Sequence, residues 1–380
     1  MAPVSPLLSS LSAYPFVRLE EAKRATAARG VEIIDFGVGD PREPTPRLVK
    51  DALVDALTDS SRYPLAQGLP ELRRAIAGWA SRRFGAELDP EREIIPTLGS
   101  KEAIFSLAQA VLGERRVVAV PDPAYPVYER GALFAGGEVV AVPLLEENGF
   151  LPDLGAVDRS LWERLAILWL NYPNNPTAAV APLDLYEHAA ELARRHGFVL
   201  ASDEAYSELW FESPPPSALQ LADRRNVIAF NTLSKRSSMT GYRSGFAAGD
   251  PELIAALRAF RPTVGTAPQE FVQRASIAAW EDERHVEETR ARYRRKRELV
   301  GGALRRAGLR IAGDAATMYL WVAVPNGETS EAFAGRLLEH GLVVAPGAYL
   351  GEAGEGYVRL ALVPSVEDCE RAAAILEHVV

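Results

Sequence analysis

A single cysteine, Cys369, in a chain of 380 residues excludes an intrachain disulfide and fits a reducing cytoplasm. No apolar run reaches the ~18 residues expected of a membrane-crossing helix. Positive charge is not in excess. The formal net charge of −9 argues against broad electrostatic binding to nucleic acid or anionic membranes. The strongest basic run, Arg290–Arg297, lies between Glu287–Glu288 and Glu298 and reads as the solvated face of a long helix. Met1–Ser12 lacks a basic start and is broken by Pro3 and Pro6, so no secretory leader is expected. No internal repeat is visible, and the one low-complexity patch, Ser213–Pro216, reads as a surface turn. What remains is an ordinary globular composition, 48% hydrophobic and 24% charged, with ample length for a large core. A soluble, cytoplasmic protein is expected.

Short apolar runs alternate with helical patterns through the middle of the chain. The spacing predicts strands at Arg116–Pro121, Glu138–Pro143, Leu165–Asn171, Phe198–Asp203 and Val227–Thr232. Helices are predicted between them at Lys101–Leu112, Ala124–Phe134 and Leu183–His196. Repeated strand–helix–strand units predict an α/β fold with a mostly parallel sheet covered by helices on both faces. After about residue 265 the pattern changes to a long helix, Pro268–Ala307, broken near Asp282. Strands at Met318–Val324 and Tyr357–Leu362 follow, with helices at Ser330–His340 and Ser365–Val379. The expected division is a large domain over 41–265 and a smaller α/β domain over 266–380, which the segment 1–40 joins.

Chemistry concentrates beyond the strand ends, where such sheets bind ligands. In Asn231–Gly245, Lys235 is flanked by Thr232 and Ser234, and Arg243 follows eight residues on. Hydroxyls and a guanidinium can hold a phosphate dianion, and a positioned, desolvated lysine forms an imine with an aldehyde. Pyridoxal 5'-phosphate (PLP) carries both groups. A lysine with such neighbours is common, so the reading depends on the rest of such a site being present. Asp203, at the end of a buried strand, can pair with a protonated pyridine nitrogen, or simply cap a helix. Tyr206 and the amide of Asn175, in the turn Asn171–Thr177, can reach the ring's phenolic oxygen. Gly99-Ser100-Lys101 opens a helix whose N–H groups can take an anion. Tyr125, between two prolines, can stack on the ring or merely pack. Arg359, in an alternating strand, is either a solvated edge residue or a bidentate carboxylate binder. Gly39 can bring backbone to the same carboxylate, and Tyr63 supplies a further phenol for the phosphate. No metal site is expected.

In this order and spacing, Gly39-Asp-Pro, Tyr63 with Gly68, Gly99-Ser-Lys101, Asn175-Pro-Thr177, Asp203 with Tyr206, Ser234-Lys235, Arg243 and Arg359 resemble the fold-type I, PLP-dependent class I/II aminotransferases, from about Tyr14 to the C-terminus. The resemblance implies the PLP-dependent transferase fold and a role for each residue. Lys235 would bind the cofactor and move the proton between substrate Cα and cofactor C4'. Asp203 would pair with the pyridinium, Tyr206 and Asn175 would hold the phenolic oxygen, and Tyr125 would stack on the ring. Ser100, Lys101 by its backbone, Thr232, Ser234 and Arg243 would hold the phosphate. Arg359, Gly39 and Asn175 would hold the substrate α-carboxylate. The family's counterpart of Tyr63 reaches the neighbouring subunit's phosphate, which implies a homodimer with shared active sites. One departure stands out: Ala178 occupies a place where the family usually has glycine. If that position needs a positive φ, alanine costs about 1 kcal/mol.

Within the family, Asp40–Pro46, Asn171–Pro176 and Ser234–Arg243 are similar to N-succinyldiaminopimelate aminotransferases of lysine biosynthesis, with Arg236–Thr240 carrying the tilt toward the succinylated substrate. This implies ping-pong transfer between glutamate/2-oxoglutarate and N-succinyl-2-amino-6-oxopimelate. Aspartate, an aromatic amino acid or unsuccinylated LL-diaminopimelate as substrate, and a PLP-dependent C–S β-lyase, stay open. A PLP-sensing regulator is disfavoured, because little sequence precedes the resemblance to form a DNA-binding domain.

Overall fold

The computed structural model describes residues 4–10, 16–60, 62–325 and 327–379; Tyr14 and the ends of Met1–Ser12 lie outside the described residues. A seven-stranded sheet runs in the order Ile94–Thr97, Gly245–Gly249, Val227–Thr232, Val199–Asp203, Leu165–Asn171, Val117–Asp122, Glu138–Pro143. Gly245–Gly249 is antiparallel to both neighbours, and all other pairs are parallel. The central strands are buried along their whole length, as a sheet covered on both faces requires.

The two faces can be read from strand alternation. Ile167 and Trp169 point to one side, where they join a core with helices Gly99–Val111, Val127–Phe134 and Pro251–Phe260. Leu168 and Leu170 point to the other, against helix Leu183–His196 and the short helix Arg159–Arg164. A third cluster packs helices Pro70–Phe84 and Glu270–Glu281 on Ile94, Ala229, Phe246 and Ala248. The structure is an α/β fold with a mostly parallel sheet and helices on both sides.

A second, smaller layer forms around another core. Its antiparallel sheet has the order Ala345–Pro346, Tyr357–Ala361, Tyr319–Ala323, Ile311–Gly313. Ile34–Asp35 pairs in parallel with Leu342–Val343, so residues near the N-terminus complete this part. The long helix expected over Pro268–Ala307 is two helices, Glu270–Glu281 and Arg284–Arg306, separated by Asp282 and Glu283. The second packs against Val366–Val379.

One strand of the large sheet, Gly245–Gly249, was not among the predicted ones. The helix expected from Ala124 begins at Val127, after Pro123 and Pro126, neither of which can donate a backbone N–H. No helix among the described residues is long and apolar enough to cross a membrane.

Candidate active site

The carboxyl ends of three adjacent parallel strands deliver Asn171, Asp203 and Thr232 to one cavity of about 630 Å³. Asn171 and Asp203 lie opposite each other in the strand register, and Asn171 Nδ2 donates to the Asp203 carbonyl at 2.9 Å. A helical turn, Leu233–Arg236, follows Thr232 at once. Thr232 caps it: its Oγ1 accepts from Ser234 N at 3.2 Å. The turn directs Lys235 into the cavity, where Nζ donates to the Gly39 carbonyl at 2.5 Å. Burial lowers the Lys235 pKa to about 8; Asp40 opposes that shift, while Arg359 and Arg243 add to it. A large fraction of this amine is therefore neutral near pH 8.

Asp203 is buried at the cavity wall. Its Oδ2 accepts from Tyr128 Oη at 2.6 Å and its Oδ1 from Ala205 N at 3.2 Å. Burial raises its pKa to about 6 despite both donors. Asp203 thus does what a turn-capping residue does and also keeps a carboxylate facing the cavity. Tyr128 had no sequence signal of its own: it is one more apolar position of a helix face, and only the fold brings it to Asp203. Tyr206 and Tyr319 share a hydrogen bond between hydroxyls at 2.8 Å, also at the cavity. Tyr319 was likewise missed. A side chain at position 39 would overlap the Tyr319 hydroxyl, so glycine is required there by close approach.

Arg359 is 4% exposed, which settles it as a buried residue rather than a solvated edge. Its Nη1 donates to Asn175 Oδ1 and its Nη2 to the Gly37 carbonyl, each at 2.8 Å. Its guanidinium also lies 4.5 Å from the Tyr319 ring centroid. Because the Asn175 oxygen faces Arg359, its Nδ2 is the end available to another acceptor. Asn175 N in turn donates to Asn171 Oδ1 at 3.0 Å, which ties the clamp to the strand end.

At the other end of the cavity, Ser100 and Lys101 lie in the first turn of helix Gly99–Val111. Arg243 approaches from the opposite side, with Nη1 donating to Thr240 O at 2.8 Å and Nη2 to Leu98 O at 3.2 Å. A Cβ added to Gly99 would come within 2.6 Å of Arg243 Nη2, so the guanidinium lies against the helix start and a side chain there would displace it. Tyr125 also lines the cavity, and Lys101 Nζ lies 5.7 Å from its ring centroid. Burial, then Arg243 and Arg130, lower the Lys101 pKa.

Of the residues singled out in the sequence, Gly39, Ser100, Lys101, Tyr125, Asn175, Asp203, Tyr206, Thr232, Ser234, Lys235, Arg243 and Arg359 all line this cavity. Tyr63 does not; it is fully exposed at the surface. Of Arg236–Thr240, only Thr240 reaches the cavity, and Arg236, Ser237 and Met239 are buried elsewhere. Ala178 is buried with φ +58°, the left-handed conformation that glycine adopts more easily.

The donor set suits PLP. A tight, cationic cradle at a helix N-terminus fits its phosphate, the buried Asp203 carboxylate fits its ring nitrogen, and the Lys235 amine lies in the same cavity. Residues 31–376 match the family described as aminotransferase class I and II. The chain belongs to this family. Like other class I/II aminotransferases it is a PLP-dependent enzyme. It is 42% identical to the LL-diaminopimelate aminotransferase of Aquifex aeolicus over 98% of this chain and 97% of that protein. Among solved structures, an aminotransferase from Neisseria meningitidis superposes with a TM-score of 0.93 at 39% identity, covering 99% of this chain and 100% of that one. A probable N-succinyldiaminopimelate aminotransferase from Thermus thermophilus gives 0.89 at 34% identity, covering 96% and 100%.

Proposed function

We propose that this aminotransferase exchanges an amino group between glutamate/2-oxoglutarate and LL-diaminopimelate. The observation that carries the reaction class is the convergence of Lys235, Asp203 and the Arg359–Asn175 clamp on one cavity. The 42% identity to an LL-diaminopimelate aminotransferase supports the unsuccinylated substrate over the succinylated one, and the burial of Arg236, Ser237 and Met239 leaves those residues no contact with a substrate in the cavity. The Thermus neighbour supports N-succinyl-LL-2,6-diaminopimelate as the second reading.

When bound, PLP supplies an electron sink that lets the substrate's Cα–H bond ionise. Arg359 would grip the α-carboxylate with its planar fork, while Asn175 and the Gly37 carbonyl keep the guanidinium from rotating. Lys235 Nζ would take the Cα proton; its lowered pKa provides a neutral base near pH 8. Asp203 would hold the protonated ring nitrogen, and Tyr128 would keep the carboxylate aimed at it. Tyr206 and Asn175 Nδ2 would donate to the phenolic oxygen, and Tyr125 would cover the ring. Ser100, Lys101, Thr232, Ser234 and Arg243 would hold the phosphate.

The same proposal makes the enzyme a cytoplasmic homodimer of two-domain subunits, with 41–265 as the cofactor domain and 1–40 with 266–380 as the smaller one. Tyr63, fully exposed near the likewise exposed Leu65, would serve the other subunit's phosphate.

The deciding experiment is a panel of amino donors with the PLP-loaded protein and 2-oxoglutarate. LL-diaminopimelate should exceed aspartate and aromatic amino acids in kcat/KM by about 100-fold or more. Preference for the N-succinyl compound selects the second reading, and pyruvate release from cystathionine selects a lyase. Full transamination by Lys235→Ala would sink the reaction class itself.

A further inference from the structure

Lys235 and Arg236 are neighbours in the chain, yet they face opposite ways. Lys235 opens into the cavity, and Arg236 is buried behind it, at the junction of the two long helices. Arg236 Nη1 donates to Ala279 O at 2.5 Å, in the last turn of Glu270–Glu281. Its Nη2 donates to Asp282 O at 3.2 Å and to Glu283 Oε1 at 2.8 Å, both in the break between the helices. Its guanidinium lies 5.1 Å from the Trp280 ring centroid. The next residue continues the contact: Ser237 Oγ lies 2.8 Å from His285 Nε2, in the first turn of Arg284–Arg306, and His285 Nδ1 lies 2.6 Å from Asp282 Oδ2.

The two helices belong to different packing units. Glu270–Glu281 packs with Arg47–Asp55 and Pro70–Phe84 beside the large sheet. Arg284–Arg306 packs with Val366–Val379 and shares its core with the small sheet that carries Arg359. Asp282–Glu283 is therefore a covalent joint between the body that carries Lys235 and the body that carries Arg359. One planar guanidinium, on the residue that follows Lys235, bonds the end of the first helix and both residues of that joint. A lysine there would keep the charge but could not span Ala279 O and Glu283 together.

We propose that Arg236 is a positioning residue that sets the placement of Arg359 relative to Lys235. It acts through the helix joint and touches neither substrate nor cofactor. The inference rests on the carboxylate-binding role proposed for Arg359, and its test separates the two. The probe is 2-oxoglutarate, which carries an α-carboxylate but no amino group to donate to the PLP-loaded enzyme. Its binding is followed through the cofactor's absorbance in Arg236→Lys, Arg236→Gln, Arg359→Ala and the double variant Arg236→Gln/Arg359→Ala, alongside PLP affinity and thermal unfolding.

Both Arg236 variants should weaken 2-oxoglutarate binding by about tenfold with PLP affinity changed less than about twofold, and the double variant should bind no worse than Arg359→Ala alone. Glu283→Gln, which removes only the charge from one contact of the joint, should shift binding in the same direction by less. A role confined to stability would lower the unfolding temperature and leave 2-oxoglutarate binding unchanged, which overturns the proposal. So does an additive loss in the double variant, because it means Arg236 does not act through Arg359. If Arg236→Gln fails to fold, Arg236→Lys and Glu283→Gln carry the same comparison. Unaltered binding in Arg359→Ala would instead remove the Arg359 assignment, and this inference with it.

Discussion

Arg359 and Asn175, separated by 184 residues, meet at 2.8 Å between guanidinium and carboxamide oxygen. One comes from the small sheet, the other from the turn after a central strand of the large one. A carboxylate held there is gripped by both parts of the molecule at once. Arg359→Lys keeps the charge and loses the fork. The Michaelis constants for both substrates should rise by roughly 10–100-fold, with a smaller change in kcat, because both carry an α-carboxylate. An effect on one substrate alone would break that assignment.

Asp203 gives the cofactor-free protein a defined pH signature. Its folded pKa of about 6 lies above the ordinary carboxylate value, so the native state binds the proton more tightly than the unfolded chain. The stability contributed by protonated Asp203 is fully present below about pH 4 and is lost as pH rises through about 6, by up to ~3 kcal/mol. Asp203→Asn removes that loss. Urea unfolding of the cofactor-free forms should show the variant gaining on the native protein between pH 4 and pH 7, and a constant difference would contradict the burial argument. Glu204, beside it and raised to about 7 mainly by burial, adds a loss in the same direction in both proteins, slightly smaller in the variant because the Asp203 charge also raises it.

Ala178 tests how much a left-handed alanine costs. Its φ of +58° favours glycine, while its methyl group is fully buried. Relief of backbone strain by Ala178→Gly is worth ~1 kcal/mol, and loss of one buried methyl costs ~0.8 kcal/mol, so the two nearly cancel. Chemical denaturation should show less than about 1 kcal/mol of change, with turnover within about twofold. Ala178→Val should cost more than about 2 kcal/mol, since a β-branched residue tolerates neither that φ nor the enclosed space.

Tyr63 tests the shared site. Sedimentation should give twice the subunit mass. Lys235→Ala and Tyr63→Ala chains, each impaired alone, should recover activity when mixed and reassembled, because one mixed cavity is then intact. Recovery absent from a proven mixed dimer would confine each active site to one chain.

The central strands were legible in the sequence because a sheet buried on both faces writes itself as continuous apolar runs, as in Leu165–Asn171 and Val227–Thr232. Gly245-Phe-Ala-Ala-Gly249 was not, because glycines at a strand's ends read as loop. Here they answer close backbone approach: a Cβ at Gly245 would meet the Asn231 carbonyl at 2.5 Å. Most of the polar candidates stood out because they sit in a local turn or strand-end motif, and Arg359 because it is a charged residue inside a strand. Tyr128 and Tyr319 were not, since an aromatic on an apolar face carries the same pattern whether its hydroxyl meets a carboxylate or another phenol. Arg236–Thr240 taught the reverse lesson: a run next to the key lysine carried the likeness to the succinylated-substrate enzymes, yet the helical turn at Leu233–Arg236 faces Arg236 away from the cavity.

The reversed strand Gly245–Gly249 turns the chain between Lys235 and Arg243 into a ruler. Thr232 is locked opposite Gly245 in the sheet register, so both ends of the intervening segment are fixed. The chain leaves the sheet with the amine, returns with the guanidinium, and has one permitted length between them. A single inserted residue would have to bulge out of that turn or drag Arg243 off the helix start.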